Sequence, residues 1–204
     1  MNNNRSLLII GAGDHGKVVY ELAKEIGCFE KIAFVDDNKN KTFEIIGPVN
    51  GISEYRKGFS DCVVSIGNNE LRAGLLCKVM ELGYNIPILI HPKAYVSPSA
   101  RIGNGTIIEA MVAINSNAEI GIGCLLSVGA IVDHNGIVED FCHLDAGSVV
   151  KTNGRVSKGS HIDSCLVVES GSVTKAISNV PDVDKTEEWV RKYLKESGTM
   201  PTFF

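Results

Sequence analysis

Several classes of protein are excluded by what this sequence lacks. Its 204 residues carry a formal net charge of −4. A nucleic-acid partner would require a basic stripe, so we expect no nucleic-acid binding. No apolar run approaches the roughly 20 residues needed to span a bilayer, so we also expect no membrane segment. Aromatic residues make up only 6% of the chain, whereas glycines number 21. This imbalance is unusual for a compact mixed fold and is the first indication of a repeat.

The six cysteines contain no CxxC pair, and most of them lie within apolar patterns. Scattered thiols of this kind fit a reducing cytoplasm better than a disulfide framework. The polar start from Met1 to Arg5 leads directly into a short apolar run. We therefore expect no signal peptide and a cytoplasmic protein.

An aliphatic residue recurs at every sixth position over most of the second half of the chain. The 13 positions are Val96, Ile102, Ile108, Ile114, Ile120, Leu126, Val132, Val138, Leu144, Val150, Val156, Ile162 and Val168. Most residues four positions further on are small. Neither a helical period of 3.6 nor strand alternation produces this spacing.

A period of six predicts a triangular prism in which each hexapeptide forms one short strand and one corner. Three hexapeptides make a coil of 18 residues, and successive coils stack as parallel strands. The aliphatic residue fills the interior. Glycine and asparagine at corners, as in Gly103-Asn104-Gly105, accept the positive φ that a tight corner requires. The segment resembles the hexapeptide-repeat proteins, and this resemblance implies that the coils are left-handed.

Residues 6–92 alternate short apolar strands with helical stretches, which predicts a parallel α/β sheet. We place strands at 7–10, 32–35, 63–66 and 86–90. Ligands of such sheets bind at the carboxyl ends of the strands. We therefore divide the chain into a nucleotide-sugar-binding α/β domain (1–92), a β-helix (93–175) and a C-terminal tail with a short helix (176–204).

A glycine-rich loop follows the first strand and matches GxGxxG. It consists of Gly11, Ala12, Gly13, Asp14, His15 and Gly16. Its backbone can approach phosphate, and the amino end of the next helix favours an anion. The domain is half the size of a dinucleotide fold, so one nucleotide is the better interpretation.

Polar residues accompany this loop at the ends of later strands. His15 could donate to a phosphate or sugar oxygen, or it could be a simple loop histidine. Asp36 and Asp37 could accept hydrogen bonds from a base or ribose, or form a turn. Asn68 and Asn69 follow the third strand and join the predicted substrate-binding residues.

The two parts in this order resemble the bacterial sugar O- and N-acetyltransferases, which include sialic acid O-acetyltransferases and UDP-amino-sugar N-acetyltransferases of the bacillosamine type. The matching segments span residues 6 to about 175. They are 9–16, 34–37, 65–70, 90–92 with 97–100, and 133–143.

The resemblance implies that the α/β domain binds a UDP-sugar, that the β-helix binds acetyl-CoA as co-substrate, and that the active site lies between subunits of a homotrimer. It implies that His134 is the general base and that His143 helps to hold the acetyl donor. We place Gly147 and Gly154 with His143 at the acetyl-CoA site, and we expect a backbone N–H near Gly147 to stabilise the oxyanion.

Two features depart from the family pattern. The family usually has Glu or Asp directly after the base histidine, whereas Asn135 stands here. Asn135 could orient the imidazole without adding charge. Asp133 is a second candidate for this role, but neighbouring strand residues point to opposite faces. The chain also leaves the repeat near Val173, before the closing coils expected of the family. A helix predicted from the capping pair Asp184 and Glu187 could cap the open end of the prism or dock a partner.

Residues 18 apart should stack in a column. Ser116 and Thr152 then flank His134, and His143 stacks with His161 beside Asp145 and Asp163. We interpret this cluster as a solvated or acceptor-binding edge rather than a metal site, and we expect no metal.

The sequence thus favours transfer of an acetyl group from acetyl-CoA to an amino group on a UDP-linked sugar. Three alternatives remain: O-acetylation of a sugar such as sialic acid, a non-catalytic nucleotide-sugar-binding protein, and an NAD-sensing module, which the short first domain disfavours.

Overall fold

The computed structural model describes residues 5–38 and 43–175. These residues form an α/β unit followed by a long stack of short parallel strands. The predicted C-terminal tail and its helix, at 176–204, lie outside the described residues.

The α/β unit contains a parallel sheet with the strand order β3-β2-β1-β4. Because β1 is central, its carboxyl end lies between those of β2 and β4, where the glycine-rich loop leaves the sheet. In chain order the elements are β1 (Arg5–Ile10), α1 (Asp14–Ile26), β2 (Phe29–Val35), β3 (Ile45–Gly47), a 3-10 turn (Val49–Gly51), α2 (Ile52–Tyr55), β4 (Asp61–Val64) and α3 (Asn69–Glu81). The predicted α/β sheet is confirmed, whereas β3 and α2 were not anticipated.

The second unit consists of two-residue strands that recur every six residues. They are β5 (Leu89–Ile90), β6 (Tyr95–Val96), β7 (Arg101–Ile102), β8 (Ile107–Ile108), β9 (Ala113–Ile114), β10 (Glu119–Ile120), β11 (Leu125–Leu126), β12 (Ile131–Val132), β13 (Ile137–Val138), β14 (His143–Leu144), β15 (Val149–Val150), β16 (Arg155–Val156), β17 (His161–Ile162) and β18 (Val167–Val168). Every pairing between them is parallel and joins residues 18 apart.

Three sheets result, and each forms one face of the prism. We name them by their outward residues. The charged face contains β7, β10, β13 and β16, the covered face contains β5, β8, β11, β14 and β17, and the apolar face contains β6, β9, β12, β15 and β18. Of the 13 aliphatic positions, 12 are buried in a single core, and Val96 packs against it. The predicted β-helix is therefore confirmed.

Each corner contains one residue in the left-handed region, and these corners also recur every six residues from Gly105 to Gly171. Six of the 12 are glycine and three are asparagine, which are the residues that tolerate this conformation best. Phe141 adopts φ 56° although it is bulky, and its ring is buried in the core of the α/β unit. Burial of this side chain offsets the cost of its backbone conformation.

The boundary between the units lies earlier than the sequence analysis placed it. We predicted 86–90 as a strand of the α/β sheet and ended the first domain at 92, but β5 pairs with β8 and belongs to the prism. Asn85 pairs with the α/β sheet through a bridge to Asp61, and Ile86 and Leu89 contact that sheet only by side-chain packing. An apolar run fits either sheet, but Ile90 lies six residues before Val96 and therefore continues the repeat.

The two units are joined by the buried side chain of Arg72 on α3. Its guanidinium donates within the α/β unit to the carbonyl oxygens of Ile66 and Gly67 and to Asn69 Oδ1. It also donates across the boundary to the carbonyl oxygens of Gly123, Phe141 and Cys142. Burial lowers its pKa to about 10, which leaves it protonated at neutral pH. A planar fork with five N–H groups suits this set of diverging acceptors.

Replacing Arg72 with Met should lower the free energy of unfolding by about 3 kcal/mol or more, because several buried acceptors lose their donors together. The matched control is Arg56→Met, since Arg56 donates to two carbonyl oxygens at an exposed position. We expect this control to cost about 0.5 kcal/mol or less. Thermal and urea unfolding of both variants would measure the difference, and equal melting temperatures would contradict the role of Arg72.

Candidate active site

His134 lies at an exposed corner of the prism, between the apolar and charged faces, and both ring nitrogens are engaged. Its Nδ1 lies 3.1 Å from Asn135 Nδ2, and its Nε2 lies 3.1 Å from Thr152 Oγ1. Thr152 follows His134 by 18 residues, so the stacking register brings the two together as predicted. The hydrogen-bond partners of this ring within the described residues are all in the prism.

Asn135 occupies the left-handed position of the same corner, with φ 57°. Asparagine tolerates this conformation better than glutamate does. The backbone conformation therefore disfavours glutamate at this position, whereas aspartate would tolerate it much as asparagine does. Asp133 does not touch the imidazole. Its Oδ1 accepts from the His134 backbone N–H at 2.7 Å, and its Oδ2 accepts from Thr152 Oγ1 at 2.8 Å.

His143 lies on the covered face, away from His134. Its ring stacks on that of His161 with centroids 4.6 Å apart and planes 5° apart, as the 18-residue register predicted. Nε2 lies 3.2 Å from Ser127 Oγ, and Nδ1 is buried. Burial lowers the pKa of His143 to about 4, assisted by the positive charges of His161 and Arg72. His143 is therefore a neutral imidazole at neutral pH.

His15 is half-buried where the glycine-rich loop meets the prism. Its Nδ1 lies 3.5 Å from Glu109 Oε1. Burial lowers the pKa of His15 to about 4, assisted by the charge of Arg72. Burial also raises the pKa of Glu109, whose Oε2 accepts from the Val128 N–H at 3.0 Å. Because His15 is neutral at pH 7, this contact is not an ion pair there.

Sequence analysis missed Glu109, although a signal was present. It stands in one column, at steps of 18, with Ser127 and Asp145, and this polar column borders His143. Arg72 gave no comparable signal, because an arginine within a helix normally faces solvent.

The glycine-rich loop supports an open helix terminus. The first hydrogen bond of α1 runs from the Lys17 N–H to the Gly13 carbonyl oxygen, so the N–H groups of Asp14, His15 and Gly16 precede the helical bonding pattern. A Cβ at Gly13 would meet nothing within 4 Å. A Cβ at Gly16 would lie 2.3 Å from the Gly11 carbonyl oxygen, and Gly11 itself has φ 99°. Gly11 and Gly16 therefore shape the loop, whereas Gly13 leaves open space above it.

Asp36 and Asp37 both bind backbone amides. Asp36 Oδ2 accepts from the Ala12 N–H at 2.8 Å and thereby holds the glycine-rich loop, while Oδ1 accepts from the Asn38 N–H at 2.8 Å. Asp37 Oδ1 accepts from the Val49 N–H at 3.0 Å. Both carboxylates thus have structural partners, and hydrogen bonds from a base or ribose to them stay a prediction.

Asn68 and Asn69 also have structural partners. Asn68 caps α3 by accepting from the Leu71 N–H at 2.9 Å. Asn69 Nδ2 donates across the boundary to the Gly159 carbonyl oxygen at 2.7 Å, and its Oδ1 accepts from Arg72. Both residues therefore help to position α3, and their role in substrate binding stays a prediction.

The two glycines predicted at the acetyl-CoA site have their N–H groups occupied. Gly147 donates to the Val128 carbonyl oxygen at 3.0 Å, and Gly154 donates to the Lys151 carbonyl oxygen at 2.8 Å. The expected oxyanion donor at Gly147 is therefore not supported, because its hydrogen atom is already bonded within the coil.

Among residues 5–38 and 43–175, no group of three or more His, Cys, Asp or Glu side chains is arranged to hold a metal ion. His161 Nε2 lies 3.8 Å from Asp145 Oδ2, beyond the distance of a normal hydrogen bond. A search of the same part of the chain finds no helix with the length and apolarity needed to cross a membrane.

A parallel β-helix of hexapeptides with an exposed histidine at one corner, preceded by an α/β unit with a glycine-rich loop, defines a hexapeptide-repeat acyltransferase. Residues 6–79 match the PglD N-terminal domain family. The acetyltransferase domain of PglB from Neisseria gonorrhoeae, solved with acetyl coenzyme A, is 33% identical with a TM-score of 0.81, over 85% of this chain and 86% of that one.

Two further relatives agree. A histidine-to-alanine variant of GDP-perosamine N-acetyltransferase from Caulobacter crescentus, solved with CoA and GDP-perosamine, is 31% identical with a TM-score of 0.65, over 84% of this chain and 89% of that one. UDP-N-acetylbacillosamine N-acetyltransferase of Bacillus subtilis is 40% identical over 114 residues, which are 52% of each chain. The match therefore spans about half the length of this curated relative. The chain belongs to the bacterial sugar N-acetyltransferases of the hexapeptide-repeat type, whose β-helix is left-handed.

Two half-buried histidines, His15 and His143, predict how the free energy of unfolding depends on pH. The pKa of His143 is about 4 in the folded protein and has its ordinary value of 6.5 when unfolded. The unfolded chain therefore binds more protons between these values, so stability is complete above pH 6.5 and declines as the pH falls towards 4. The same holds for His15.

Replacing His143 with Gln should make this decline shallower. Urea unfolding across pH 7.5 to about 4 would give the slope. His134→Gln is the matched control, because its ring is exposed. We expect the control to follow the wild-type slope, and parallel curves for all three proteins would show that His143 is not held neutral by the fold.

Proposed function

We propose that this protein transfers an acetyl group from acetyl-CoA to an amino group on a UDP-linked amino sugar, with His134 as the general base. The observation that carries this proposal is an exposed histidine with both ring nitrogens in hydrogen bonds, at a β-helix corner. The relatives support these substrates. The Neisseria gonorrhoeae domain was solved with acetyl coenzyme A, and the Caulobacter crescentus enzyme was solved with CoA and a nucleotide-linked amino sugar. The Bacillus subtilis relative favours UDP as the nucleotide.

The chemistry requires a base near neutrality. An amine at pH 7 is mostly protonated, and only the neutral form, which has released its extra proton to solvent, can attack. In the proposed step His134 accepts a proton from the amine as its nitrogen bonds to the thioester carbonyl carbon. Collapse of the intermediate breaks the carbon–sulfur bond, and the imidazolium returns the proton to the CoA thiolate. General base catalysis of this kind contributes about 10² to 10⁴-fold.

The glycine-rich loop is suited to the diphosphate of the sugar nucleotide. The open N–H groups at the amino end of α1 favour an anion, and the space above Gly13 gives it room. His15 belongs to this loop and is a neutral imidazole at pH 7. The α/β unit would thus hold the nucleotide while the sugar extends towards a histidine of the prism.

We further propose a homotrimer with active sites between subunits. The outward residues of the apolar face are Tyr95, Ala113, Ile131, Val149 and Val167, and Tyr95 and Val167 are 57% and 45% exposed. Packing three prisms would bury this face. Leu125 points outward on the covered face but is only 1% exposed, because the α/β unit packs over it.

The glycine-rich loop and His134 lie at different corners of one chain, which is what a shared site requires. His15 contacts Glu109, between the covered and apolar faces, whereas His134 lies between the apolar and charged faces. A neighbouring subunit could bring the second corner to the first. The six cysteines form no disulfide within the described residues, and we propose that the protein acts in a reducing cytoplasm.

Replacing His134 with Ala should lower kcat by about 10² to 10⁴-fold, because the amine loses its proton acceptor. The melting temperature should hardly change, since the ring is exposed. Steady-state kinetics with acetyl-CoA and a UDP-linked amino sugar would measure the effect. A variant that retains full activity would contradict the assignment of the base.

Gly13→Val should abolish UDP-sugar binding, because the added side chain fills the open space that we assign to the phosphate. Acetyl-CoA binding should stay intact, because the added side chain meets no other part of the protein.

Mixing this variant with His134→Ala after subunit exchange should recover part of the activity if each site uses both chains. Calorimetry and activity assays of the mixture would test this. A monomer by sedimentation, or no recovery once exchange has been demonstrated, would exclude shared sites.

A further inference from the structure

A continuous hydrogen-bond chain connects the ring of His134 to a carboxylate that does not touch it. Thr152 Oγ1 lies 3.1 Å from His134 Nε2 and 2.8 Å from Asp133 Oδ2. The other oxygen, Asp133 Oδ1, accepts from Asn115 Nδ2 at 3.0 Å and from the His134 backbone N–H at 2.7 Å. Asp133 is thus anchored on three sides, and its position determines where the Thr152 hydroxyl points.

The negative charge of Asp133 determines which group donates and which accepts in each of these hydrogen bonds. Hydrogen bonds to the carboxylate, first of all the one from Thr152, hold the pKa of Asp133 below its usual value, so the group is ionised at neutral pH. An ionised carboxylate only accepts hydrogen bonds, and therefore the Thr152 hydroxyl must donate to it. That hydroxyl can then only accept a hydrogen bond from the imidazole. His134 Nε2 must carry the proton and donate it to Thr152 Oγ1.

The opposite arrangement is disfavoured. If His134 Nε2 were bare, the hydroxyl of Thr152 would have to donate to the ring and would leave Asp133 Oδ2 without its donor. A hydrogen bond to a carboxylate is roughly twice as strong as a neutral one. On the other side of the ring, Asn135 Nδ2 donates to Nδ1 at 3.1 Å, which fits a bare Nδ1.

We propose that Asp133 and Thr152 are positioning residues that hold His134 as the tautomer with the proton on Nε2. Nδ1 is then the nitrogen that accepts the amine proton, after the substrate amine displaces Asn135 Nδ2 from it. This inference rests on the proposed role of His134 as the base. A carboxylate directly after the histidine would orient the ring through a direct hydrogen bond. Here the corner favours asparagine at that place, and the carboxylate acts from the preceding residue through a hydroxyl one coil away.

The tautomer can be measured without an activity assay. Long-range proton–nitrogen correlation spectra of the imidazoles, at a pH where the ring is neutral, distinguish the protonated nitrogen from the bare one. The signals of His134 among the five histidines would be identified by their loss in His134→Gln. We expect the proton on Nε2 in the native protein. A proton found on Nδ1 would overturn the proposal.

Asp133→Asn should reverse the donor and acceptor roles along this series of hydrogen bonds. The introduced amide nitrogen would replace Oδ2 and donate to Thr152 Oγ1, so the hydroxyl would turn and donate to His134 Nε2. The proton on the ring should then move to Nδ1 in the same spectra. An unchanged tautomer in this variant would show that Asp133 does not set it.

Kinetics would test whether this arrangement matters to the reaction. Thr152→Val keeps the branched shape but removes the hydroxyl, and we expect kcat to fall by about 10 to 100-fold with KM changed by less than about threefold. Thr152→Ser keeps the hydroxyl and should retain most of the activity. The matched control is Ser170→Ala, which removes a hydroxyl bonded to the Thr152 carbonyl oxygen at 2.7 Å and should have the native kcat.

The variants separate the two levels of the proposal. If His134→Gln loses activity while Thr152→Val keeps the native kcat, the base stands and the positioning role is overturned. If His134→Gln keeps full activity, the proposed base and the positioning chain both fail. Equal losses in Thr152→Val and Ser170→Ala would show that Thr152 acts only through the shape of the corner, which also overturns the proposal.

Discussion

The architecture depends on one buried positive charge. Arg72 is only 1% exposed, and its acceptors are backbone carbonyl oxygens and an asparagine oxygen drawn from both units. A charge removed from water without a carboxylate partner is costly unless every donor is satisfied. Only when the α/β unit and the prism are docked in one orientation are these donors satisfied. The same charge helps to keep His15 and His143 neutral, so the joint between the units also sets the electrostatics around them.

The sequence was most informative where a single physical requirement repeats. Burial of one aliphatic side chain per hexapeptide recurs 13 times, so the prism, its core and the stacking of Thr152 on His134 followed directly from the period. The boundary between the units did not follow, because an apolar run such as 86–90 satisfies a buried strand in either sheet. Which sheet it joins is decided by pairing with Ile107 and Ile108, a contact between distant parts of the chain.

Side-chain roles were harder to predict than positions. Asp36, Asn68 and Asn69 stand where ligand-binding residues are expected, yet their polar atoms bond to the backbone and to Arg72. A motif shows which residue types are present but not which acceptors lie nearest after folding. Asn135 illustrates a competition between requirements at one residue: its backbone must be left-handed, which favours asparagine, and its side chain must face the ring of His134. The orientation of the His134 ring therefore also depends on Asp133 and Thr152 at the same corner.

The 18-residue coil fixes which side chains stack on one another in the prism. Every column of stacked side chains is defined by counting along the chain, so one inserted residue displaces all later columns relative to the earlier ones. An insertion between Asn135 and Thr152 would separate the hydroxyl from the imidazole without altering either residue, whereas a whole additional coil would preserve the internal register. Change in this half of the protein is therefore constrained in length as strictly as in composition, and new segments fit only where they leave the count of six intact.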